Sequence, residues 1–146
     1  MSFDMAIDFS SCRDEQQFKK KWITKEKLNS FDSGAEYFCI ESEETEPEFP
    51  DVMKLVRKEE ARFFEFKFSN KSGTIKFQPT QPAFYKHHPS MHIHVVAFDS
   101  VNNVLHNFDT SELFHIDSPY YLGTGNTVNL ASIWNEYIKA VQEKTK

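Results

Sequence analysis

A short segment of alternating side chains constrains the fold of this chain more than any other feature. Residues 63–68 read Phe-Phe-Glu-Phe-Lys-Phe. Side chains of a β-strand point alternately to its two faces, so Glu65 and Lys67 share one face and three phenylalanines share the other. Aromatic residues favour strands. The segment therefore predicts a strand with a charged pair on one face.

Hydrophobic periodicity along the rest of the chain predicts a mixed α/β protein. The predicted helices are Asp14 to Phe31, Thr80 to His88 and Thr127 to Gln142, and the predicted strands are Glu36 to Glu41, Val52 to Val56, Ala61 to Phe68, Met91 to Phe98 and Val104 to Phe108, the last as an edge strand or an extension. Ser33-Gly34 is a predicted turn. The order αβββαβ predicts a mixed central sheet flanked by helices, followed by a C-terminal extension with a helix.

The length of 146 residues is typical of a single domain with one hydrophobic core. We expect one domain over residues 1–146, with a core of about 14–99 and an extension of 100–146. In the first helix, the pattern predicts an apolar stripe of Phe18, Trp22 and Ile23. Its lysines are predicted to lie on the exposed side: Lys19, Lys20, Lys21, Lys25 and Lys27.

The net charge of −5 and the pI of about 5.7 count against a protein that coats nucleic acid nonspecifically. Local recognition stays open because the charge is uneven: residues 41–48 are strongly acidic, whereas residues 66–98 contain lysines and histidines but no acid. No apolar stretch approaches the ~20 residues of a membrane helix, and the N-terminus lacks the basic region of a secretory signal. Cys12 and Cys39 are predicted to be packed thiols in a reducing, cytoplasmic compartment.

Two short motifs bring together the groups that metal-assisted phosphodiester cleavage needs. Pro50-Asp51 is the only Pro-Asp pair in the chain, and Glu65-Phe66-Lys67 is its only acid-x-Lys triplet. Carboxylates are hard oxygen ligands that hold Mg²⁺ or Mn²⁺ while leaving waters in place. A lysine adds positive charge near the phosphate. Pro50-Asp51 lies at the start of the first of two neighbouring predicted strands, and Glu65-Phe66-Lys67 lies in the middle of the second.

This combination resembles the PD-(D/E)xK nuclease superfamily, and especially its VRR-NUC and Holliday-junction-resolvase-like small members. Downstream, Pro79-Thr80-Gln81 opens a helix and residues 92–98 supply a hydrophobic strand, as in those families. The resemblance covers roughly residues 14–99. It implies a restriction-endonuclease-like fold.

The resemblance also implies roles for individual residues. Asp51, Glu65 and the carbonyl of Phe66 would bind Mg²⁺ or Mn²⁺, with Glu15 in the first helix as a further acid. Lys67 would position or activate the attacking water or stabilise developing charge, and Gln81 would steady the site or touch the scissile phosphate. The implied activity is a phage or microbial endonuclease that cuts duplex or branched DNA in recombination, repair or restriction, with a homodimer as a family-level expectation.

Two other classes of function stay open. The first is a nuclease fold without activity, acting as a binding or immunity protein. The second is a metalloprotein built on His92 and His94, which alternate on one strand face. We favour the simpler interpretation that these are two half-buried histidines on a core strand.

Overall fold

Residues 2–5, 9–29, 34–40, 49–69 and 72–145 are described by the computed structural model. The strands are β1 (Ser2–Met5), β2 (Glu36–Cys39), β3 (Val52–Leu55), β4 (Arg62–Ser69), β5 (Thr74–Lys76), β6 (His92–Asp99), β7 (Val104–Asp109) and β8 (Thr127–Asn129). The helices are α1 (Glu15–Asn29), α2 (Thr80–His87) and α3 (Leu130–Lys144), with a 3₁₀ helix at Thr110–Leu113. All predicted elements are present and follow one another in the predicted order. The strands β1, β5 and β8 were not predicted, and β5 lies between β4 and α2.

Six strands form one mixed sheet in the order β1-β7-β6-β4-β3-β2. Neighbouring strands run antiparallel except β4 and β6, which are parallel and are connected through β5 and α2. Strands β5 and β8 form a separate antiparallel pair. The predicted fold class, a mixed α/β protein with a central sheet flanked by helices, is confirmed. The single-domain boundaries stay a prediction.

Each face of the sheet packs against its own set of apolar residues. On the α1 face, the buried residues are Phe9, Cys12, Phe18, Trp22, Ile23, Val52, Phe64, Phe66, Val96 and Phe98. On the α2 face, they are Ile75, Phe77, Tyr85, Ile93, Val95, Ala97, Phe108, Leu113, Tyr120, Val128 and Leu130. The strand β4 lies between the two sets, so its alternating side chains enter both cores.

Several details of the sequence prediction were wrong. Residues 127–129 form β8, and α3 begins only at Leu130, because the side chain of Asn129 caps the helix by accepting from the Ser132 amide at 2.9 Å. The strand β7 is not at the sheet edge, since β1 pairs with it. Lys19 is buried rather than exposed, and Cys39 is exposed rather than packed.

Some predictions fall outside the described residues: the end of the first helix at Phe31, Ser33 of the predicted turn, and the acidic stretch 41–48. None of the described helices has the length and apolar character needed to cross a membrane. The cytoplasmic location stays a prediction.

Candidate active site

Asp51 directly precedes the first residue of β3. The neighbouring strand β4 extends beyond this end of β3. The register between the two strands ends at the pair Val52–Phe64, so the Phe66 amide lies beyond the last paired residue of β3. The Oδ2 atom of Asp51 accepts a hydrogen bond from this amide at 3.1 Å. Amide and carbonyl of one strand residue point to the same neighbouring strand, so the Phe66 carbonyl faces the same edge.

Glu65 and Lys67 share the α2 face of β4, as the alternation predicts, and Gln81 of α2 joins them. The Nε2 group of Gln81 donates to Oε1 of Glu65 at 2.9 Å, and the Nζ group of Lys67 donates to Oε1 of Gln81 at 2.9 Å. Lys67 Nζ lies 3.8 Å from Glu65 Oε1. The Gln81 side chain is held in turn by the Gln78 amide, which donates to its Oε1 at 2.9 Å. One amide side chain thus orients both the acid and the lysine.

The carboxyl group of Glu65 is held in an unfavourable environment for its charge. Its side chain is almost fully buried, with 5% of the residue exposed. Burial, together with the nearby charge of Asp51, raises the pKa of Glu65 to about 8, although Lys67 opposes the shift. The Oε2 atom has no hydrogen-bond partner among the described residues. Buried polar atoms without a hydrogen-bond partner are rare in proteins. Acids with a strongly shifted pKa are concentrated at functional sites.

The N-terminal part of α1 adds an acid and a base to this cluster. Burial, and then repulsion by Asp51, raises the pKa of Glu15, while Lys67 and Lys19 oppose the shift. Burial also raises the pKa of Asp51, against the Phe66 amide, Lys19 and Lys67. The cluster therefore joins three acids and two lysines from α1, β3 and β4 by electrostatic interactions.

The sequence prediction missed Lys19 as a member of the site. Its side chain is 4% exposed, although it stands in a run of three lysines. A signal was present in the spacing, because Glu15 and Lys19 lie three residues before Phe18 and Trp22 on the helix. Residues three and four apart share one face of a helix, so both flank the buried apolar stripe.

The donor atoms at Asp51 suit a small divalent cation with bound waters. Mg²⁺ is usually held by one or two carboxylates and keeps several waters, so two carboxylates and a backbone carbonyl are a sufficient set. The unsatisfied Oε2 of Glu65 is the observation that fits such an ion. Within the described ranges, no three His, Cys, Asp or Glu side chains form a group that could hold a metal. Glu15 as a ligand stays a prediction.

His92 and His94 are occupied by separate carboxylates on the other side of the sheet. The ring of His92 contacts Glu60 through Nε2, and Nδ1 of His94 lies 2.8 Å from Oδ1 of Asp109. The His94 ring also stacks on Phe64, at 5.4 Å between centroids. His94 is partly buried, as the simpler interpretation predicts, but His92 is exposed rather than half-buried.

No model of a known protein family matches this sequence, and no curated protein sequence matches it either. Among solved structures, the fold is similar to that of Hjc, a Holliday junction resolvase from the archaeal hyperthermophile Archaeoglobus fulgidus, with a TM-score of 0.47 and 8% sequence identity. The similarity covers 77% of this chain and 88% of that chain.

Proposed function

We propose that this protein is a divalent-metal-dependent endonuclease that hydrolyses phosphodiester bonds of DNA, with duplex or branched DNA as its partner. The observation that carries the proposal is the convergence of Asp51, Glu65, Lys67 and Gln81. Asp51 directly precedes β3, Glu65 and Lys67 lie on β4, and Gln81 lies on α2. Hydrogen bonds connect Asp51 to the backbone of β4, and Gln81 to the side chains of Glu65 and Lys67. Acids beside a lysine in a buried cluster are the groups that this hydrolysis requires.

Each residue has a task that its position supports. Asp51, Glu65 and the Phe66 carbonyl would hold the cation, and a bound Mg²⁺ or Mn²⁺ supplies Lewis acidity and a more acidic water. Lys67 places a positive charge beside Glu65, where it would stabilise negative charge developing on a phosphate. Gln81 keeps Glu65 and Lys67 in a fixed relative orientation.

The expected attraction to DNA is local. The chain is acidic as a whole, but Lys19 and Lys67 both act on the acids of the cluster and would contribute positive charge near a bound phosphate. Local charge of this kind supports binding of one segment of backbone more than long-range attraction to any duplex. The DNA substrates of recombination, repair and restriction all offer a backbone segment to which such a site could bind.

The decisive experiment measures cleavage of labelled linear, flapped and four-way-junction DNA with Mg²⁺ and with Mn²⁺. We compare the wild type with Glu65→Gln, which keeps the side-chain shape and its contact with Gln81. The matched control is Glu143→Gln, which removes an exposed acid from α3. Cutting by the wild type and the control but not by Glu65→Gln is the expected result. If folded wild-type protein cuts none of the substrates with either metal, the proposal is wrong.

One observation favours a second candidate, a binding or immunity protein with this fold and no activity. Gln81 and Lys67 both engage Oε1 of Glu65, which leaves only Oε2 for a cation. If its binding partner is DNA, such a protein would bind DNA without cutting it. Gel-shift binding of junction DNA that is unchanged by Glu65→Gln, together with absent cleavage, would establish this second function.

A further inference from the structure

Two residues of α2 face the strand that carries Glu65. Gln81 and Tyr85 are four residues apart and are the two buried residues of this helix. Residues at this spacing lie on the same helix face. Gln81 donates to Glu65 Oε1 at 2.9 Å, which places this face of α2 against the Glu65 side of β4. Tyr85 therefore belongs to the same interface one turn further along.

The hydroxyl group of Tyr85 is buried and has no hydrogen-bond partner in the described part of the chain. The residue is 3% exposed, and its ring packs edge-on against Phe77 at 6.2 Å between centroids. The second oxygen of Glu65, Oε2, is in the same condition. Buried polar atoms almost always have partners, so each of these two atoms needs an explanation, and one partner between them would satisfy both.

Helix geometry directs the Tyr85 side chain towards the turn of α2 that contacts Glu65. Long side chains of a helix lean back towards its N-terminus, so Tyr85 covers the turn that contains Gln81. The electrostatics agree with this position. Burial raises the pKa of the Tyr85 phenol, and the next contributions come from Glu65 and Asp51. The hydroxyl therefore lies within the field of the acids that form the proposed metal site.

We propose that Tyr85 is a positioning residue for Glu65, with its hydroxyl bonded to Oε2 of Glu65 through one shared buried water. A hydroxyl can donate or accept, so it can serve a carboxylate or a carboxylic acid. A water needs two or more polar partners to be held in a protein interior, and these two atoms supply them. The inference rests on the proposed function only in making Glu65 a metal ligand. A carboxylate oxygen has two lone pairs, so Oε2 could accept from this water and still contact a cation. The bond itself would therefore orient Glu65 with or without a cation.

A double-mutant cycle without metal tests the bond directly. Tyr85→Phe removes only the hydroxyl, and Glu65→Met removes the carboxylate while keeping a side chain of similar volume. We expect Tyr85→Phe to lower the melting temperature by about 2–6 °C when Glu65 is present. The shift should largely disappear in the Glu65→Met background. Equal shifts in both backgrounds would overturn the inference.

Tyr120→Phe is the matched control for this cycle. Tyr120 is equally buried, but its hydroxyl already has a partner, the Nδ1 atom of His106 at 2.9 Å. Removing it should lower the melting temperature by the same amount whether or not Glu65 is present. A control that also depended on Glu65 would mean that the cycle reports a general loosening of the core, and the inference would fail.

Calorimetry with Mn²⁺ separates this inference from the proposed function. Loss of a group that orients a ligand typically weakens metal binding at least tenfold, so Tyr85→Phe should bind Mn²⁺ roughly tenfold more weakly than the wild type. If the wild type binds no Mn²⁺ while the cycle shows coupling, the nuclease proposal fails and the positioning role stands. If the wild type binds Mn²⁺ and cuts DNA but the cycle is additive, the nuclease proposal stands and the role of Tyr85 fails.

Discussion

The two faces of β4 make opposite contributions to this protein. On the α1 face, the ring of Phe66 packs against Trp22 and Phe18, at 5.1 and 5.8 Å between centroids. On the α2 face, Glu65 and Lys67 place two ionisable groups beside a mainly apolar core. Buried charge opposes folding unless it is paired, whereas aromatic packing favours it. The α1 face of β4 thus stabilises the fold. The α2 face carries ionisable groups that do not favour folding, as is common at functional sites.

The largest expected effect is on the packing face. Phe66→Ala removes a fully buried ring and should lower the free energy of unfolding by about 3–5 kcal/mol. Urea denaturation measures this change, and Phe38→Ala is the control because Phe38 is 41% exposed. The backbone carbonyl of residue 66 is kept, so cleavage per folded molecule should persist. A loss below about 1 kcal/mol would contradict the assignment of stability to this face.

On the opposite face, Lys67→Met should affect activity much more than stability. The variant keeps an unbranched stem but removes the positive charge, so cleavage should fall about 100-fold or more. The free energy of unfolding should change little, because Oε1 of Gln81 still accepts a hydrogen bond from the Gln78 amide. Lys76→Met is the control, since Lys76 is exposed on β5. Equal activity of both variants would exclude a role for Lys67.

The stability effect of Glu65 should depend on pH. In the unfolded chain its carboxyl loses its proton near 4.5, whereas in the folded protein it keeps the proton up to about 8. The folded state binds more protons between these values, so stability without metal falls as pH rises through this window. Glu65→Gln cannot lose this proton and should be more stable than the wild type at pH 9 by several kcal/mol.

Chemical denaturation at pH 4 and pH 9 with a chelator present checks this difference. At pH 4 the wild type and Glu65→Gln should be nearly equal, because Glu65 is then protonated in both the folded and the unfolded states. A gap of the same size at both pH values would show that charge at Glu65 is not its cause.

The smallest effect is expected from the histidines on the α1 side of the sheet. His92 and His94 pair with exposed acids, and such pairs contribute about 1 kcal/mol or less. Replacing both by Gln should leave metal-dependent cleavage within about twofold of the wild type, since neither touches the proposed site. Cleavage assays and Zn²⁺ titration provide the check. If the wild type binds Zn²⁺ tightly and this variant does not, the result would support a metal site built on His92 and His94.

Much of the fold was predictable because it follows from local patterns. The period-two alternation around Glu65 predicts a strand with Glu65 and Lys67 on one face, and the hydrogen bonds of Gln81 confirm it. Strand β8 was predicted as part of the last helix because residues 127–129 continue directly into that helix. Pairing with β5 decides their conformation. Such pairing involves residues far apart in the sequence, and local propensity does not report it.

The candidate site was predicted in its residue types but not in its environment. Pro50-Asp51 and Glu65-Phe66-Lys67 are visible in the sequence, and their roles stay a prediction that the cleavage experiment tests. The burial of Lys19 and the isolation of the Tyr85 hydroxyl are not visible there. Both depend on which helix face meets the sheet, and the run of three lysines around Lys19 looked like a solvated surface.

By itself, the sequence determined which side chains alternate along β4 and which chemical groups are available, because these follow from backbone geometry and residue identity. The tertiary structure alone decided that the pKa of Glu65 is raised to about 8 and that Asp51 accepts from the Phe66 amide. The reason is physical: desolvation and charge interactions act over a few ångströms in space, between groups that only the packed fold brings together.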